Sequence, residues 1–106
     1  MRPLLSRLSL SVLLALSMNA APSEKPVTLI PGLGTYTHTI ATRSPEAQKF
    51  FNQGLNLLYG FNRYEALRSF RRAAELDPAA AMPHWGIAMA QAPYINMDLD
   101  GDFHPK

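Results

Sequence analysis

Residues 50 to 78 read "FFNQGLNLLYGFNRYEALRSFRRAAELDP", and the spacing of apolar residues in this stretch decides the fold. Phe50, Phe51, Gly54, Leu55 and Leu58 recur at steps of three and four, with Ala47 one turn earlier. One broad apolar face therefore runs to about Tyr59. Gly60 and Asn62 interrupt the pattern. A second stripe then follows at Ala66, Phe70, Ala73 and Ala74, with Arg68, Arg71, Arg72 and Glu75 pointing outward. Both periods are helical. Ahead of the first stripe, Ser44 is an N-cap, Pro45 suits the first helical position and Glu46 faces the positive end of the helix dipole. Asn62 caps the second helix, with Glu65 three residues on to complete a capping box. Asp77-Pro78 ends it. A third helix is expected from about Ala81 to Ala92, with Pro83 in its first turn and Pro93 as its stop. The fold class is all-α, and the helical module spans residues 44–92.

Outside the module the chain changes character. The opening "MRPLLSRLSLSVLLALSMNAAPSEKP" places Arg2 and Arg7 before an apolar run from Leu8 to about Leu16, with small residues at Ala20 and Ala21. That pattern predicts a secretory signal peptide over residues 1–20, and hence a periplasmic or secreted protein. The run is too short for a stable membrane anchor, which needs roughly 20 apolar residues. Residues 21–43 hold Pro22, Pro26, Pro31, Gly32 and Gly34 and read as an extended linker, with β-branched and aromatic residues alternating from Tyr36 to Thr42. His38 lies on that arm. Residues 93–106 form an acidic polar tail in which Asp98, Asp100 and Asp102 fail the calcium-loop pattern, because Gly101 comes too early and no bidentate Glu follows. The stop at Lys106 suggests a truncated product.

The ten basic residues fall to eight once Arg2 and Arg7 leave with the leader, against eight acidic ones. A near-neutral mature chain argues against nucleic acid as a partner, since that binding rests on many cationic contacts to phosphate. With no cysteine, disulfides, thiol nucleophiles and thiolate metal sites are excluded.

Two helices on a tight turn, followed by a third that starts like the first, prompt a search for repeats. Gly54 and Leu57 in the first helix, Ala66, Phe70 and Ala73 in the second, and the closing Leu76-Asp77-Pro78 resemble the tetratricopeptide repeat. The resemblance covers about residues 46 to 92, one full unit and the opening helix of another, with His84, Ile87 and Ala88 in the corresponding places of the next unit. The wording from His38 to Asp102 is also similar to a group of exported bacterial repeat proteins. Where that group often has His after "FN", this chain has Arg63. The resemblance implies close helix approaches at Gly54, Ala66 and Ala88, with Phe70 filling the gap between units. It also implies that first helices line an inner groove. On that basis Gln48, Phe51, Leu55 and Tyr59, with Met82, Trp85 and Met89, are the expected partner-binding residues. The partner would be a protein or peptide, the remainder of a longer repeat array, or a second copy.

No motif for catalysis or phosphate binding accompanies these helices beyond the short "GLG" at 32–34, so neither enzyme activity nor a cofactor is expected. Arg63, Arg68, Arg71 and Arg72 alternate with Glu65 and Glu75 and read as a solvated face. The alternative function is copper binding or delivery through Met82 and Met89 with His84 and His104, since thioethers suit soft copper(I). A Met stripe around Trp85 is also what packing produces.

Overall fold

The computed structural model describes residues 23–94. The expected leader and all but the first two residues of the expected tail lie outside them. Three helices follow one another: α1 (Pro45–Tyr59), α2 (Arg63–Leu76) and α3 (Ala81–Gln91). No strand occurs among the described residues. The all-helical class is as the sequence predicts. α1 and α3 both pack chiefly on α2 and touch each other less.

The helix ends follow local chemistry. Ser44 Oγ accepts the Ala47 N–H at 3.0 Å, and Pro45 opens α1. At the other end, Phe61 N–H donates to Leu58 O at 3.1 Å and Asn62 N–H to Leu57 O at 2.9 Å. This pair of bonds is the Schellman arrangement, and it requires a left-handed residue after the cap. Phe61 fills that place at φ 62°, while Gly60, one residue early, has φ −81°. Asn62 Oδ1 caps α2 by accepting the Glu65 N–H at 3.2 Å. The reciprocal half of the expected capping box is absent, because Asn62 N–H is committed to Leu57 O and the Glu65 carboxylate is drawn to Arg68. α3 ends at Gln91, one residue before expected, with Ala92 at ψ 147° as the residue ahead of a proline prefers.

The core centres on Phe70, which is fully buried together with Phe51, Ala47, Ala66 and Ala73. Leu67 and Ser69 join the buried face of α2, which is wider than the expected stripe, and Ala74 is only half-buried. The Phe70 ring lies between two glycines. A Cβ on Gly54 would stand 2.5 Å from Phe70 Cε1, and one on Gly86 2.4 Å from Phe70 Cδ1. The close approach in α3 therefore falls at Gly86 and not at Ala88, which is exposed. Pro83, Gly86 and Ala90 form the buried edge of α3, a register set by Phe70 rather than by the nearest match to the repeat pattern.

Candidate interaction site

A row of carboxamides runs along α1 at Gln48, Asn52, Gln53 and Asn56, and the segment before the helix is fastened to it. Ile40 N–H donates to Gln48 Oε1 at 2.9 Å, and Gln48 Nε2 donates to His38 O at 2.8 Å. His38 N–H reaches Asn52 Oδ1 at 3.1 Å, and Asn56 Nδ2 donates to Tyr36 O at 2.8 Å. The chain then turns, and Gln53 takes both sides of the returning stretch: Ile30 N–H donates to its Oε1 at 2.8 Å and its Nε2 donates to Thr28 O at 3.0 Å. Gln53 is buried and also donates to Ser69 Oγ at 3.0 Å, which ties the arm through α1 to α2. An extended main chain has unpaired N–H and C=O groups, and each carboxamide offers both a donor and an acceptor to match them.

Both ends of the arm are pinned to α2. Glu24 lies 3.5 Å from Arg68 Nε and accepts from Tyr64 Oη at 2.9 Å, while Arg68 also donates to Lys25 O. This bond to the Glu24 carboxylate, and then its charge, push the Tyr64 hydroxyl up from its ordinary pKa. Arg68 forms a paired contact with Glu65 at 2.9 and 3.0 Å, which raises its own pKa. At the other end, Thr42 Oγ1 and Arg43 N–H donate to Asp77 Oδ2 at 2.5 and 3.0 Å and hold that carboxyl below its usual range.

These contacts correct the expected solvated arginine face. Arg71 is exposed, and Arg72 meets Glu75 at 3.2 Å on the surface. Arg68 is largely covered by the arm. Arg63 donates to Met89 O and Ala92 O, both at 2.6 Å, and its guanidinium stands 4.5 Å from the Tyr94 ring. It supplies from α2 the positive charge that the last turn of α3 lacks.

Against this frame, Phe51, Leu55, Tyr59, Met82 and Trp85 converge on one recess of about 220 Å³, walled on the arm side by Tyr36 and His38. Phe51 and Leu55 are buried in its floor, and Met82 is half-buried against the core. Tyr59 and Trp85 stand exposed at its rim, with Tyr36 packed edge-on against Tyr59 at 5.7 Å between ring centroids. The His38 ring lies 6.4 Å from that of Phe51. Of the remaining expected residues, Met89 is exposed but outside the recess, and Gln48 is occupied by the arm. Tyr36 and His38 were not among the expected residues, and neither was the carboxamide row. A sequence signal for that row existed, since four uncharged amides on one side of a helix whose other side is apolar suit main-chain contacts better than solvent. No three His, Asp or Glu side chains are grouped as metal ligands among the described residues. His84 Nε2 lies 3.2 Å from Pro78 O.

The described residues thus define an all-helical protein of three packed helices with an N-terminal arm strapped across the first. No model of a protein family matches the chain, and no curated protein or solved structure does.

Proposed function

We propose that the chain is a non-catalytic, tetratricopeptide-like interaction module, exported by its leader, which receives an apolar segment of a partner protein in the recess between α1 and α3. The observation that carries this reading is the convergence of Phe51, Leu55, Tyr59, Met82 and Trp85 on one apolar recess with two aromatic rings left exposed at its mouth. Binding energy at interfaces concentrates in such pockets, where aromatic and aliphatic side chains are fully desolvated. Burial of Gly54, Ala66 and Phe70 at the helix contacts supports the repeat resemblance, although Ala88, the third expected close approach, is exposed.

Trp85 is the sole tryptophan, so its emission reports on the recess directly. A photo-reactive residue at Met89, beside the recess, should cross-link a discrete partner in the exported fraction. Trp85→Ala should abolish that product, whereas the same probe at Arg71 should give none. Absence of a product dependent on Trp85, or stoichiometric copper in the purified protein, overturns the reading.

A further inference from the structure

The turn between α1 and α2 holds a phenylalanine where local chemistry calls for glycine. The left-handed residue after the cap of α1 is Phe61, at φ 62°, although Gly60 stands beside it at φ −81°. A bulky side chain is strained in that conformation. Burial does not offset the strain, because Phe61 is 81% exposed. Strained residues of this kind cluster where a chain makes functional contacts.

Two residues before Phe61 stands Tyr59, on the rim of the recess between α1 and α3. The molecule thus carries a protruding phenyl ring close in sequence to an apolar hollow of about 220 Å³, floored by the buried Phe51 and Leu55. We propose that the occupant of the recess is Phe61 of a second copy of this chain, an inference that rests on the recess being a partner site and names the partner. The two chains are related by a two-fold axis, so that each ring enters the other's recess. A ring and a hollow on one patch are what this symmetry needs, since the patch meets itself and leaves neither part unfilled. Charge also permits it. A two-fold axis brings like groups together, and like charges so placed repel. The turn at Tyr59, Gly60, Phe61 and Asn62 carries no charged side chain, and among the described residues no Asp, Glu, Lys or Arg lines the recess. Arg63, next in sequence, is turned to Met89 O and Ala92 O. The area is sufficient for a weak dimer. Tyr36, Tyr59 and Trp85 are 51%, 59% and 41% exposed, so with Phe61 they present roughly 450 Å² at about 150–250 Å² for each aromatic side chain. Symmetry doubles this to roughly 900 Å², and the exposed Met89 beside the recess brings it close to the roughly 1,000 Å² that a specific interface needs.

Sedimentation velocity of the purified chain at several concentrations should show a monomer–dimer equilibrium. The emission of Trp85, the sole tryptophan, should move to the blue as the dimer forms. Phe61→Gly removes the inserted ring and should weaken association by at least about tenfold, and Trp85 emission should no longer depend on concentration. The same substitution relieves the backbone, so the helical circular dichroism should be unchanged and lost association is not lost folding. Arg71→Gln, on α2, should leave the dimer intact. With the photo-reactive residue at Met89 in a mixture of light and heavy-isotope chains, the expected product is a mixed dimer that Phe61→Gly abolishes. A monomer at every concentration, or an association that Phe61→Gly leaves unchanged, would overturn the proposal. If the chain stays monomeric while the Met89 probe captures a different protein in a manner dependent on Trp85, the second copy is excluded and the recess remains a partner site. If no product dependent on Trp85 forms with any protein, both readings fall.

Discussion

Phe70 is held between Gly54 and Gly86, and this contact fixes how α1 and α3 sit on α2. A methyl at either glycine meets the ring at 2.4–2.5 Å, well inside van der Waals contact, and the ring cannot retreat from a buried position. Gly86→Ala is expected to destabilise the fold by about 1 to 3 kcal/mol. Ala88→Ser, on the exposed side of the same helix, should stay within about 0.5 kcal/mol. Urea melts of the two variants check both values, and equal effects would mean that α3 adopts the other register. Phe61 offers the opposite case. It is 81% exposed and left-handed, so its ring contributes little packing while its Cβ is strained. Phe61→Gly should therefore raise stability by about 1 kcal/mol, visible as a later urea midpoint. Exposed ring and strained backbone together are unusual, and the fold itself gives no reason for a phenylalanine there.

At the scale of elements, the arm behaves as a fourth layer without secondary structure. Residues 21–43 read as a linker because prolines and glycines exclude helix and strand. They do, yet main-chain groups of Thr28, Ile30, Tyr36, His38 and Ile40 are met by side chains of α1 instead. Gln53→Ala removes the partners of Ile30 N–H, Thr28 O and Ser69 Oγ together. It should cost about 1 to 3 kcal/mol and speed hydrogen exchange at Ile30 by more than at the α2 amides, whose protection falls only with global stability. Asp77 fastens the other end. Its carboxyl titrates below the ordinary 3.8, because the Thr42 hydroxyl and then the Arg43 N–H donate to its charged form. A carboxyl depressed in the folded state stabilises the fold above its unfolded pKa and loses that contribution as pH falls through the folded value. Stability should therefore show an acid loss that begins near pH 3.8 and is absent from Asp77→Asn, measured by urea melts at about pH 5 and about pH 3.

For the whole molecule the open question is the outer side of α3. α1 is covered by α2 and by the arm, but α3 packs chiefly on α2 and leaves Trp85 and Met89 half-exposed. Ordering a domain of this size costs on the order of 1.5 kcal/mol per residue, and apolar burial only about balances it. The arm adds hydrogen bonds and the partly buried Val27 and Ile40 to that balance, but no disulfide is available. The chain from residue 22 onward is expected to be marginally stable or to self-associate through the α3 side. Sedimentation at several concentrations checks this, with Trp85→Ser shifting the distribution towards monomer. A sharp melt above about 60 °C from a monomer at every concentration would contradict it. Replacing Arg71 and Arg72 with Gln should change stability by less than about 1 kcal/mol, since both are surface residues and only Arg72 is paired.

The helices, their order and most of their ends were legible in the sequence, because these follow from local rules. Apolar spacing selects the buried face, and Ser44, Pro45, Asn62 and Asp77 act within one turn of where they stand. The floor of the recess was legible as well, since Phe51, Leu55 and Met82 lie on stripes set by the helical period. What tertiary structure decided involves residues distant in sequence. Whether Gly86 or Ala88 faces Phe70 depends on how α3 lies on α2, a choice that the pattern of small residues leaves open. Arg63 and Arg68 have the composition of a solvated face, and only the return of Ala92 and Glu24 to their neighbourhood takes them out of water. The carboxamide row on α1 signals a side suited to main-chain contacts, but which stretch of chain lies along it is decided by the fold. Periodicity encodes which side of a helix avoids water, but the partner that meets its polar side comes from elsewhere in the chain, and the fold alone brings it there.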